Sequence, residues 1–168
     1  WRGYPLNNNF NRTLDFILKW EGYKSDNPLD TGGRTIFGVA EKFHPEVVAR
    51  IWDMPKDEAK KEVYPVYKAE YWDKCGCDDL TFPYDMIMMD TAVNMGVGRA
   101  LEFKGKARGG TDFPTWVDFL MLRIEFYCKI AKNNPVFLRG WINRVNDLYA
   151  TAIKKEEHPL SKYKEGEP

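Results

Sequence analysis

The chain has 168 residues, 43% of them apolar, enough for one domain to bury a core without metal or disulfide support. Lys plus Arg and Asp plus Glu each number 25, so the formal net charge is zero and the basic excess that marks nucleic-acid binders is missing. No apolar run approaches the ~20 residues that cross a bilayer, and Trp1 to Asn11 has neither the charged nor the apolar part of an export signal.

Phe10, Leu14, Ile17 and Leu18 recur at helical spacing and predict a first amphipathic helix ending near Glu21 and Gly22. The polar stretch Tyr23 to Arg34 follows, with Asn27-Pro28, Asp30 and Gly32-Gly33 as turn formers. Thr35 to Val39 is β-branched and aromatic, which predicts a short strand or hairpin edge. Val48, Ile51 and Trp52 mark a further helix, and Ala59, Val63, Tyr67 and Tyr71 another that Pro65 should kink or break.

Pro83 opens a segment that is apolar nearly all round, Met86 to Val97, as expected of a central helix wrapped by others. Phe103 to Phe113 is rich in Gly and Lys and reads as a loop. Val117, Leu120, Met121, Ile124, Tyr127 and Ala131 form a long apolar stripe, Asn133-Asn134-Pro135 interrupts it, and Phe137, Trp141, Val145, Leu148 and Ala152 form the last one. These elements give one mainly α domain over 1–168, with its core at about 10–155, a small β-hairpin element after the first helix, and a charged tail over 156–168 that should fray. A monomer is expected.

Cys75, Cys77 and Cys128 are odd in number, and their spacing does not match paired zinc ligands. Three reduced thiols and no metal site are expected, with a single bridge to Cys128 left open.

Glu21 lies four residues after Ile17 and seven after Leu14, so it continues the buried stripe of the first helix rather than its wet face. Partial burial disfavours an ionised carboxylate, which suits a group that must donate a proton near neutral pH. A solvated helix-end Glu paired with a lysine is the plainer alternative. Asp30, nine residues on in a Gly-rich turn, should be hydrated and ionised, and two carboxylates in contrasting settings are what glycoside hydrolysis uses. Asp90, Thr91 and Asn94 share one face of the apolar central helix and need polar partners, either loop backbone or, for Asn94, a substrate in the cleft. Of the aromatic residues near this region, Trp72 and Phe37 are assigned to the core and Tyr23 to the cleft.

The run Trp20-Glu21-Gly22-Tyr23-Lys24-Ser25-Asp26-Asn27-Pro28-Leu29-Asp30-Thr31-Gly32-Gly33-Arg34-Thr35-Ile36-Phe37-Gly38-Val39 resembles the signature of glycoside hydrolase family 108. Tyr71-Trp72-Asp73, Asp90 to Gly96 with Arg99-Ala100, and Gly140 to Val145 resemble further blocks of that family, in order, from about Phe10 to Ala152. Tyr23, Thr31 and Ile36 depart from its pattern, and Phe103 to Pro114 is shorter than its counterpart.

The resemblance implies a lysozyme-like fold and an N-acetylmuramidase that cuts the peptidoglycan glycan strand. It makes Glu21 the general acid and sets Asp30 and Thr35 across the cleft from it; Tyr23, Asn94 and Asp90, from their own chemistry and placement, are the expected substrate contacts. No cofactor is implied. Action on the cell wall is implied too, from the periplasm or outside, or from the host cytoplasm for a phage endolysin. A lytic transglycosylase, a chitin-type specificity and a non-catalytic wall-binding or secretion-assisting module are the alternatives. Inversion or retention depends on the carboxylate separation, which sequence does not supply.

Overall fold

A computed structural model describes residues 8–26, 33–109, 115–133 and 135–155. The first helix, α1 (Asn8–Glu21), buries Phe10, Leu14 and Ile17 completely while Asp15 and Lys19 face water. It stops at Gly22, whose φ of 77° is the left-handed turn that commonly closes a helix.

Three two-residue strands follow, β1 (Lys24–Ser25), β2 (Thr35–Ile36) and β3 (Val39–Ala40), paired antiparallel in that order. Lys24 faces Ile36 across β1 and β2, and Ile36 faces Val39 across β2 and β3. The turn between β2 and β3 is Phe37-Gly38, with φ of 49° and 76°, the double left-handed geometry that two-residue hairpins favour. Asp30 and its neighbours from Asn27 to Gly32 lie outside the described residues.

Beyond the sheet come α2 (Pro45–Ile51), α3 (Lys56–Glu62) and α4 (Tyr64–Tyr67). The break anticipated at Pro65 falls at Val63, because a proline lacks the N–H to continue a helix and is tolerated only in a first turn. A wide helical turn over Lys68–Trp72 then sinks Trp72 fully into the core, where its indole N–H donates to Asp78 at 2.7 Å. Cys75 and Cys77 are buried and Cys128 is exposed, all three as free thiols.

The central helix is α5 (Tyr84–Met95), buried without interruption from Asp85 to Ala92 and packed against α1, α6 (Val97–Lys106) and α7 (Thr115–Ala131). The loop expected from Phe103 onward begins later, since Phe103 to Lys106 complete α6. Burial of Ala100 and Phe103, with Glu102 paired to Arg99 and Lys106 on the wet side, outweighs the Gly-Lys composition. Residues 110–114 lie outside the described part of the chain.

The last helix, α8 (Pro135–Lys155), packs on α7. Two positions on the predicted apolar stripes turn outward: Met121 is 54% exposed and Phe137 56%. In place of Met121, α7 buries Arg123 completely. The tail from Glu156, expected to fray, lies outside the described residues. One apolar cluster runs through the molecule from Phe10 to Ala152, and the small sheet joins it through Ile36, Phe37 and Val39.

Candidate active site

Glu21 is the last residue of α1, its side chain 23% exposed. It stands half-buried at the end of the helix face that carries Leu14 and Ile17. Its Oε1 accepts a hydrogen bond from Arg144 Nη1 of α8 at 2.7 Å. Among the described residues Oε2 has no hydrogen-bond partner. A guanidinium thus holds one oxygen of the carboxyl while the other is left without a hydrogen bond from these residues.

Arg144 belongs to a larger ionic cluster. Its Nε donates to Asp90 Oδ1 at 3.0 Å, and Arg123 Nη1 donates to Asp90 Oδ2 at 2.6 Å and to Thr91 Oγ1 at 3.0 Å. Asp90 and Arg123 have no exposed surface. Asp90 thus lies between both guanidiniums, and Arg144 reaches on to Glu21, so each buried cation faces a carboxyl group. Burial works to strip Arg144 of its proton, but Asp90 and Glu21 outweigh it and raise its pKa, so it remains a cation.

A second tier of contacts lies one helical turn away on each of the three helices. Arg123 Nε donates to Tyr127 Oη at 3.2 Å, the Tyr127 hydroxyl donates to Asn94 Oδ1, and the Tyr127 ring stacks on Trp141 at 5.0 Å with planes 12° apart. Asp90 and Asn94 on α5, Arg123 and Tyr127 on α7, and Arg144 and Trp141 on α8 are three or four residues apart, so each pair shares a helix face.

The hairpin closes on Glu21 from the other side. A Cβ added at Gly38 would stand 3.2 Å from Glu21 Cγ and 2.5 Å from Tyr67 Oη, so only glycine permits this approach. Tyr67 donates to the Phe37 carbonyl at 2.8 Å and Phe37 N–H donates to the Tyr23 carbonyl at 2.7 Å. These bonds, with the 3% exposed Phe37 ring, hold a non-glycine residue in the left-handed region.

The residues singled out from sequence are placed as follows. Thr35 is half-buried in β2, paired with Ser25 and Ala40, and the turn that follows this strand brings Gly38 against Glu21. Tyr23 packs on Phe37 at 5.0 Å beside a cavity of about 420 Å³ that α1 lines with Asp15, Leu18 and Lys19, and Gly22 just beyond it, a face without Glu21. Asn94 is half-buried at the second tier, its oxygen taken by Tyr127. Asp90, expected to face substrate, is instead buried with both oxygens held by arginines. Among the described residues neither it nor Asn94 bonds to loop backbone, and Thr91 donates within its own helix to the Ile87 carbonyl at 2.8 Å.

Sequence reasoning missed Arg123, Arg144, Tyr67 and the bonding role of Tyr127. The signal that exposed Glu21 was available for both arginines: Arg123 lies between Leu120 and Tyr127, and Arg144 between Trp141 and Leu148, at helical spacing on apolar stripes.

Residues 14–96 match a family model described as Glycosyl hydrolase 108. The matched segment holds Glu21, Gly38, Asp90 and Asn94 and ends before Arg123 and Arg144. A solved structure titled "Structure of Brucella abortus SagA" is similar to the chain with a TM-score of 0.62 and 22% identity, covering 90% of this chain and 97% of that one. At that identity the likeness is one of fold, and it agrees with a mainly α, lysozyme-like architecture. No curated protein sequence matches the chain.

Proposed function

The chain belongs to glycosyl hydrolase family 108, and on that premise we propose that it hydrolyses the β-1,4 bond between N-acetylmuramic acid and N-acetylglucosamine in the bacterial cell wall, with Glu21 as general acid. The observation that carries this reading is the setting of Glu21. It stands at a helix end, gripped at one oxygen by Arg144, faced by a glycine turn and, among the described residues, without a hydrogen bond at the other oxygen.

A proton on Oε2 is compatible with Oε1 accepting from Arg144. In the reaction that proton passes to the glycosidic oxygen as the bond from C1 to that oxygen breaks, and water adds its hydroxyl to C1 while its other proton passes to a carboxylate of the site. Asp30 would stabilise the positive charge on the ring or direct the water, with Thr35 beside it. Asn94, whose oxygen accepts from Tyr127, has its amide N–H2 to offer a sugar hydroxyl or acetamido oxygen. Asp90 acts through Arg144 and touches no substrate.

The proposal is tested by turbidity clearing of purified cell walls. Wild type should clear them, Glu21→Gln should lose at least about a hundredfold in rate while keeping its far-UV spectrum, and Asp30→Asn should lose less. Clearing by Glu21→Gln at the wild-type rate would remove Glu21 from the chemistry. No clearing by wild type would favour the wall-binding module.

A further inference from the structure

Arg144 holds the carboxyl of Glu21 from the ionic cluster, and the turn that faces Glu21 across from it hangs on one buried hydroxyl, that of Tyr67. Pro65 stands in the first turn of α4 and starts a new helix at Tyr64. A wide turn follows at once, in which the Asp73 N–H donates back to the Lys68 carbonyl at 2.9 Å and Trp72 is sunk in the core. Tyr67 lies between these two fixed points, 2% exposed, with the Tyr71 ring packed against its own at 5.5 Å.

The Tyr67 hydroxyl donates to the Phe37 carbonyl at 2.8 Å. Among the described residues Phe37 is the one non-glycine with a positive φ, 49°, a conformation that a residue with a side chain keeps only where its surroundings impose it. The Tyr67 bond and the bond from the Phe37 N–H to the Tyr23 carbonyl at 2.7 Å impose it here. A Cβ at Gly38 would meet Tyr67 Oη at 2.5 Å and Glu21 Cγ at 3.2 Å, so the hydroxyl and the stem of the acid border the same glycine. Burial raises the Tyr67 pKa above its ordinary value and the negative charge of Glu21 adds to the rise, so the hydroxyl keeps its proton for the Phe37 carbonyl.

Resting on the glycosidase reading above, we infer that Tyr67 is a positioning residue for Glu21: its hydroxyl fixes the Phe37-Gly38 turn against the stem of the acid and so limits where the carboxyl can stand. Arg144 restrains one oxygen of that carboxyl and the turn restrains its stem, so the two act on different torsions of one side chain. Without the hydroxyl, the Phe37 carbonyl loses its partner and the turn is free to relax from the left-handed region. A proton donor set slightly out of place slows the chemical step while substrate binding stays as it was.

Tyr67→Phe keeps the ring and removes only the hydroxyl. In cleavage of soluble glycan strands it should lower kcat about tenfold and leave KM within about twofold. Phe103→Leu, a core variant of α6 whose ring packs on Phe119 and Phe126, controls for lost stability and should leave both constants unchanged well below its melting temperature. Tyr67→Phe combined with Gly38→Ala should cost no more than Gly38→Ala alone, because both act through the turn. A wild-type kcat in Tyr67→Phe, a loss confined to KM, an equal loss in Phe103→Leu, or losses that multiply in the double variant overturns the positioning role. Crystal structures of the wild type and Tyr67→Phe are read separately. They should differ at Phe37, Gly38 and the Glu21 carboxyl and superpose elsewhere, and identical placement of Glu21 overturns the role as well. If the wild type cleaves nothing, the glycosidase reading falls, and that displacement alone decides whether Tyr67 positions Glu21.

Discussion

At the scale of single residues, Arg144 ties the candidate chemistry to the fold. Removing it as Arg144→Met leaves Glu21 and Asp90 without their shared cation, and breaking a buried ion pair in this way costs about 3–5 kcal/mol. Chemical denaturation should show that loss, together with a fall in wall clearing, whereas Arg144→Lys should recover part of the stability but not the forked contact. Asp85 offers a different test. It is fully buried at the start of α5, and burial raises its pKa above the usual carboxylate range, against the opposing pull of its bond from the Met86 N–H and the nearby Arg12. A raised folded pKa means its contribution is fully present below the ordinary carboxylate value and is lost as pH rises through the raised one. Asp85→Asn should therefore flatten the decline in stability across that acidic window, as measured by melting temperature against pH. An unchanged slope would show that other groups set it.

At the scale of elements, the turn between β2 and β3 is where local geometry meets the site. Gly38→Ala should destabilise the protein by more than about 1 kcal/mol, because its φ of 76° suits only glycine and the added Cβ meets Tyr67 and Glu21. Activity should fall further than stability explains if the turn sets the position of Glu21, and a crystal structure of the variant should show the carboxyl displaced. These elements also show what the sequence made legible. The end of α1 was readable because Phe10, Leu14, Ile17 and Glu21 repeat on one face, and the hairpin because β-branched residues follow a run of turn formers. α6 was hidden by its Gly and Lys content, since i to i+4 ion pairs and two buried residues decide that helix and composition does not record them. On α7 the stripe was followed through Met121 as though only apolar side chains could line a core, so Arg123 went unread.

At the scale of the whole molecule, an acidic residue of α1 and another of α5 meet two arginines of α7 and α8, so the site draws on segments far apart in sequence. Such a cluster is invisible to any local pattern: each member looks like an isolated charge until packing brings them together. It also couples the site to global stability. Asp90→Asn leaves Arg123 and Arg144 facing one another with less compensation, and should lower the melting temperature by roughly 6–20 °C, the equivalent of about 3–5 kcal/mol in a chain of this size. The family match ends before both arginines, so their part in the site rests on the geometry alone.

The central claim is that Glu21 donates a proton in the hydrolysis of a glycan bond, and mass spectrometry of the fragments released from purified peptidoglycan tests it most directly. Wild type should release fragments with reducing N-acetylmuramic acid ends, and Glu21→Gln, folded and at equal concentration, should release none above the enzyme-free control. Equal release by Glu21→Gln, or anhydromuramic ends from the wild type, would contradict it.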